Sequence, residues 1–221
     1  MVRVVRSMCV LSLFVISFLS LAHADSVEVL TFKGLLDQQQ VGDFYNGGGL
    51  TDTPNYGITF SSNFYGLRPI SKGGSGNFSP TPSGSPAIFI NGTTGSLVTG
   101  TMNVTGGFTT GIQFYYTAAF SQTVTIWSGA NGTGTILATF TLSPNNSFCT
   151  SPAYCNWTSV GISFSGTAKS VTFTGGANGL GLADITIGQS TTAVPEPSSL
   201  MLLGTGLVGI GSGRIRRFLN L

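Results

Sequence analysis

Histidine is all but missing from this 221-residue chain, and the one present, His23, sits in an apolar N-terminal stretch. Beyond that point there is no Ser-His-Asp or Cys-His arrangement, no imidazole general base and no histidine-ligated zinc, copper or iron. Charge is scarce too, with Asp, Glu, Lys and Arg together making 7% of the residues. Cysteine is limited to Cys9, Cys149 and Cys155. The helix formers Glu and Lys are few, while glycine, threonine, serine and sixteen phenylalanines are plentiful, a mixture that favours packed strands over helices. Long apolar runs occur only near the ends, at residues 10–21 and 200–213.

Those two runs have the flanks of targeting segments. Arg3 and Arg6 precede the first, and Ala22 and Ala24 close it. A basic start, a short apolar stretch and small residues three and one before a cut make a secretory signal peptide, with cleavage expected after Ala24. The run is too short for a spanning anchor, and Cys9 lies ahead of it, away from any lipoprotein cut. At the other end, Pro195-Glu196-Pro197 precedes the second run, and Arg214, Arg216 and Arg217 follow it. Residues 198–213 make about 24 Å of helix, short of a hydrocarbon core of about 30 Å. Spanning therefore requires snorkelling arginines or a thinned bilayer, and the positive-inside rule puts those arginines in the cytoplasm.

This three-part tail resembles the PEP-CTERM sorting signal of Gram-negative, exopolysaccharide-producing bacteria. The resemblance implies an exosortase as partner, a membrane cysteine transpeptidase that cuts near Pro195-Glu196-Pro197. It also implies a transient stay in the inner membrane, then release to the cell surface or extracellular matrix. The chain accordingly divides into a signal peptide at 1–24, a domain at 25–190, a motif-bearing linker at 191–197, a transmembrane segment at 198–213 and a basic tail at 214–221.

Removing both ends changes the charge. Six acids, Asp25, Glu28, Asp37, Asp43, Asp52 and Asp184, remain against Lys33, Arg68, Lys72 and Lys169, a net of −2 where the whole chain carries +2. Four scattered cations cannot follow a phosphate backbone, which argues against nucleic acid as a partner. Cys149 and Cys155, with five residues between them in an oxidising compartment, are expected to form a disulfide. A redox-active pair normally has two intervening residues.

Between the ends, period-two alternation recurs in short segments. Val27 and Val29 oppose Leu30 and Phe32, and residues 56–60, 87–91, 95–104, 110–116, 122–127, 135–142, 157–164, 168–173 and 180–187 follow as strands. The last aligns Ala183, Ile185 and Ile187. Residues 33–41 are the one place for a short helix, and 71–86 form a long loop that is either functional or loose. Nine or ten short strands with glycine-rich turns predict an all-β, two-sheet antiparallel sandwich of jelly-roll type.

The stretches Val29-Leu-Thr-Phe-Lys-Gly-Leu, Phe44-Tyr-Asn-Gly-Gly, Asn55-Tyr-Gly-Ile-Thr-Phe60, Asn131-Gly-Thr-Gly134 and Gly181-Leu-Ala-Asp-Ile-Thr186 carry a second resemblance. They are similar to the ectodomains of many proteins with this sorting signal, which in turn resemble non-catalytic carbohydrate-binding jelly rolls. That resemblance implies a structural calcium held by Glu28 and Asp184. Asp37 and Asp43 are the alternative pair, since calcium takes hard oxygens. No organic cofactor is expected.

Sugar rings present apolar faces and hydroxyl edges, which suit Trp and Tyr platforms flanked by amides. Tyr65, Tyr154, Trp127 and Trp157 are the candidate ligand contacts, with Tyr65 beside the long loop and Tyr154 inside the disulfide loop. No acid stands in a recognisable acid–base setting and no serine or threonine has an activating base, so an enzyme is not expected. The leading reading is an exported protein that binds or organises extracellular polysaccharide. A displayed structural sandwich without a ligand is the alternative, and a glycan-active enzyme comes a distant third.

Overall fold

The computed structural model describes residues 27–48 and 54–188. The signal peptide, Asp52, the linker with Pro195-Glu196-Pro197, the apolar tail segment and Arg214, Arg216 and Arg217 lie outside the described residues.

Thirteen strands among the described residues form two antiparallel sheets. The first holds β1 (Glu28–Leu30), β2 (Gln39–Gln40), β5 (Phe64–Leu67), β6 (Ala87–Ile90), β8 (Gly111–Ala118), β11 (Thr158–Ser163) and β13 (Leu180–Ile187). Its order is β11-β8-β13-β6-β5-β2, with β1 also paired to β13. The second holds β3 (Tyr45–Asn46), β4 (Asn55–Phe60), β7 (Leu97–Phe108), β9 (Gln122–Trp127), β10 (Ile136–Leu142) and β12 (Ala168–Gly176). Its order is β10-β9-β12-β7-β4-β3. From β6 to β9, and again from β11 to β13, each strand crosses to the sheet opposite its predecessor. The result is a β-sandwich of jelly-roll type, the expected class.

Strand period decides which residues meet between the sheets. In β9 it buries Val124 and Ile126 and turns Thr123 and Thr125 outward. The same T-x-T pattern in β7, β10 and β12 comes into register across the second sheet. Thr141, Thr123, Thr174 and Thr99 form one outer row, and Thr139, Thr125, Thr172 and Thr101 the next. Inside, Phe173 of the second sheet packs edge-on against Phe64 and Phe114 of the first, at centroid distances of 6.2 and 5.7 Å. Edge-to-face rings of this kind are favoured by the aromatic quadrupole. In β8, Phe114 and Tyr116 enter the core while Tyr115 takes the other face.

Two local expectations change. Residues 33–41 form turns and β2 instead of a helix, because Phe32, Gly34 and Gln38 all adopt positive φ, which no helix tolerates. The segment instead inserts Leu35 and Val41 into the core. In β13 a bulge at Asp184, where φ is +50°, shifts the register against β8. The main core therefore takes Leu182, Ile185 and Ile187 without Ala183.

A second, smaller core lies on the outer face of the first sheet. Phe78, Ala87 and Phe89 form it, with Leu67, Tyr154 and Trp157 packed against them. The 71–86 segment is thus not loose, because Phe78 anchors it to β6 through Phe89, at a centroid distance of 5.3 Å.

Candidate functional site

The pairing of β5 with β6 sets Tyr65 opposite Phe89, and the pairing of β6 with β13 sets Gly181 on the other side of Phe89. Alternation in β5 buries Phe64 and sends Tyr65 to the outer face. A Cβ on Gly181 would stand 2.5 Å from the Phe89 ring, so the glycine lets that ring lie across β13. Over this row runs an open groove of about 450 Å³ lined by Gln38, Tyr65, Leu67, Ser75, Phe89, Asn91 and Asn178. Its floor is aromatic and aliphatic. The other lining residues bring three carboxamides and one hydroxyl, and no charged side chain lines it.

The lining residues are held from outside. The Tyr65 hydroxyl accepts a hydrogen bond from Gln40 Nε2 at 2.9 Å, and the same nitrogen donates to the Ser62 carbonyl at 3.0 Å. Asn178 sits at φ +60°, donates from Nδ2 to the Gly92 carbonyl at 3.0 Å, and accepts the Tyr154 hydroxyl on its own carbonyl at 2.7 Å. Asp37 acts on a neighbouring turn. Its two oxygens accept the Arg68 and Ser75 amide N–H groups at 2.7 and 3.0 Å, fixing the 68–76 turn that carries Ser75. Main-chain donors thus already engage the Asp37 carboxylate, and Asp43 is exposed.

Behind the groove, Tyr154 packs edge-on against Phe89 at 5.5 Å, and Trp157 packs edge-on against Phe78 at 5.9 Å. Trp157 Nε1 donates to the Ser79 carbonyl at 2.9 Å. Burial raises the Tyr154 phenol above its ordinary value, favouring the neutral hydroxyl that donates to Asn178. The disulfide between Cys149 and Cys155 closes the loop that presents Tyr154. That loop is docked on residues 77–79 by Tyr154 N–H to the Asn77 carbonyl and Ser79 N–H to the Tyr154 carbonyl. Closure of so short a loop contributes about 2 kcal/mol. We expect Cys149→Ser to lower unfolding stability by about that amount in denaturant titration, and reductant to give no further loss in the variant.

Of the four aromatic residues singled out in the sequence, three converge on this face. Tyr65 lines the groove, while Tyr154 and Trp157 support it. Trp127 lies on the outer face of the second sheet, where its Nε1 donates to Thr172 Oγ1 at 2.9 Å. The sequence reading missed Gln38, Phe89, Asn91 and Asn178. Phe89 sits in an unbroken apolar run that reads as a buried strand, and only the Asn91-Gly92 and Asn178-Gly179 turn signals hint at the amides.

Glu28 and Asp184 are brought to neighbouring strands. Glu28 stands opposite Ile187 in the β1–β13 pairing, three residues along β13 from Asp184. Asp184 Oδ1 is buried and has no hydrogen-bond partner. Nearby, the Tyr45 hydroxyl accepts the Phe32 amide N–H at 2.6 Å. Burial pushes the Tyr45 phenol far above its ordinary range, with the charges of Tyr56 and Asp184 adding to the rise. Among the described residues no three His, Cys, Asp or Glu side chains gather as a metal-binding group.

The chain carries a PEP-CTERM protein-sorting motif, matched by a family profile over residues 193–217. That stretch contains Pro195-Glu196-Pro197 and the three arginines of the tail. The motif marks the protein for export, transient membrane anchoring and exosortase processing. No curated protein sequence matches the chain. Among solved structures, it is similar to a family 29 carbohydrate binding module at 12% identity and a TM-score of 0.43, covering 79% of this chain and 98% of that one. A family 6 carbohydrate-binding module is similar at 15% identity and a TM-score of 0.39, covering 74% of this chain and 94% of that one.

Proposed function

We propose that this exported protein binds neutral extracellular polysaccharide in the Tyr65 groove and works by adhesion, without catalysis. The observation that carries the reading is the groove itself, an aromatic floor edged by amides and a hydroxyl, with no charge along it. A pyranose ring stacks its C–H face on such a floor and exchanges hydrogen bonds with such amides. Uncharged lining suits an uncharged glycan and gives no purchase on phosphate or sulfate. In affinity electrophoresis through gels containing β-1,4-glucan, β-1,4-mannan, β-1,3-glucan or galactan, the full chain should be retarded by at least one polymer. Tyr65→Ala should weaken that retardation about tenfold, a loss near 1.4 kcal/mol. Uniform free migration across the panel would support the display-only alternative, and release of sugar fragments would point to an enzyme.

A calcium ion at Asp184 is proposed as a structural component. The partnerless, buried Oδ1 favours it, since leaving a carboxylate oxygen unpaired is costly and calcium takes such oxygens. Glu28 on the adjoining strand is the second carboxylate proposed for the shell. Chelator should lower the melting temperature of the full chain, and Asp184→Asn should remove that sensitivity. Identical melting with and without chelator counts against the ion.

A further inference from the structure

A second cavity, of about 420 Å³, opens where the turns around residues 94–97, 120–121 and 176–177 meet. Two large apolar side chains stand in it uncovered, Phe120 at 57% and Leu97 at 81% exposure. Single exposed apolar residues are ordinary, but Phe120 is seated. A Cβ on Gly176 would lie 2.9 Å from its ring, and one on Gly179 would lie 2.6 Å away. Neither glycine adopts the positive φ that would require glycine for the backbone. Their missing side chains let the ring rest on the main chain with its remaining surface in solvent. Thr94, Ser96 and Ser121 supply hydroxyls around it, and no charged side chain lines the cavity.

This cavity adjoins the Tyr65 groove along the chain. Gly176 and Ala177 line the one and Asn178 the other, while Asn91 of the groove leads within three residues to Thr94. The ridge between them is pinned. Asn178 Nδ2 donates to the Gly92 carbonyl at 3.0 Å, and the Ala177 N–H donates to the Ser96 carbonyl at 3.0 Å. Both cavities have the same chemistry, an aromatic ring with neutral polar neighbours.

We infer that the two cavities form one track, which takes a single neutral polysaccharide chain along its length with Tyr65 and Phe120 as separate ring-stacking positions. The inference rests on the glycan reading of the groove and extends it, because it makes the internal stretch of a long polymer the ligand instead of a chain end or a short sugar. Two linked contacts on one chain raise affinity through effective concentration, provided that the ligand spans both.

The test is calorimetry on the full chain with the disaccharides and hexasaccharides of β-1,4-glucan and β-1,4-mannan. A hexasaccharide should bind at least about tenfold more tightly than its disaccharide. Phe120→Ala should erase that gain and leave disaccharide binding unchanged, and Phe120→Trp should restore it. Phe120 is largely exposed, so the variants should melt like the parent. Affinity independent of length, or a gain that survives Phe120→Ala, overturns the track while leaving the Tyr65 groove standing. Absence of binding for every fragment overturns both.

Discussion

Replacing Phe173 by alanine should lower the free energy of unfolding by about 4 kcal/mol. Its ring is fully buried and touches Phe64 and Phe114 of the facing sheet, so it joins the two layers at the centre of the sandwich. Removing it takes away the transfer free energy of the ring and leaves a cavity whose walls belong to strands fixed by their own ladders. Those walls cannot close without disturbing β8 and β5, which keeps the cost at the upper part of the usual range. A domain of this size holds only about 5–15 kcal/mol in all, so the variant should unfold at a much lower urea concentration. Phe148→Ala is the control. That ring is 94% exposed, and its loss should move stability by less than about 0.5 kcal/mol. Equal effects from the two substitutions would mean that the sheets do not pack as described.

Substituting alanine for Pro195, Glu196 and Pro197 should have the largest effect on where the protein goes. The three residues lie inside the matched sorting motif, ahead of the apolar segment and the basic cluster. The N-terminal segment expected to direct translocation and the apolar stretch at 198–213 with its arginines, expected to stop transfer, are both left unchanged. The expected product is therefore a chain left uncleaved at its C-terminus and held in the inner membrane, where the parent is expected to yield a shortened, released form. Fractionation and mass measurement of the C-terminus read the outcome. A shortened, released variant would contradict exosortase recognition of these residues.

The fold was largely legible because its strands are amphipathic one by one. In β9, Val124 and Ile126 against Thr123 and Thr125 leave one way to face a core, and the strand falls on residues 122–127 as read. The hairpin that joins it to β10 follows from its run of glycine and asparagine. Legibility failed where a long-range partner decided the conformation. The short β2 and β3 exist only because β5 and β4 offer them edges. The bulge at Asp184 leaves the local alternation of its strand unchanged in sequence, so the absence of the buried Ala183 from the main core could not be read there. The groove was half legible. Tyr65, Tyr154 and Trp157 stood out as aromatic residues beside a long loop and a disulfide, but Phe89 looked like core. Asn91 and Asn178 meet across 87 residues of chain, through a Gly92–Asn178 contact that no local pattern announces.

Adhesion through the Tyr65 groove is best tested on the cell's own material. The full chain and its Tyr65→Ala variant, matched in stability, are titrated onto extracellular polysaccharide purified from the producing bacterium, and the bound fraction is measured after sedimentation. Saturable binding by the parent, with about tenfold weaker binding by the variant, is the result expected here. Equal binding by both proteins, or none by either, contradicts it.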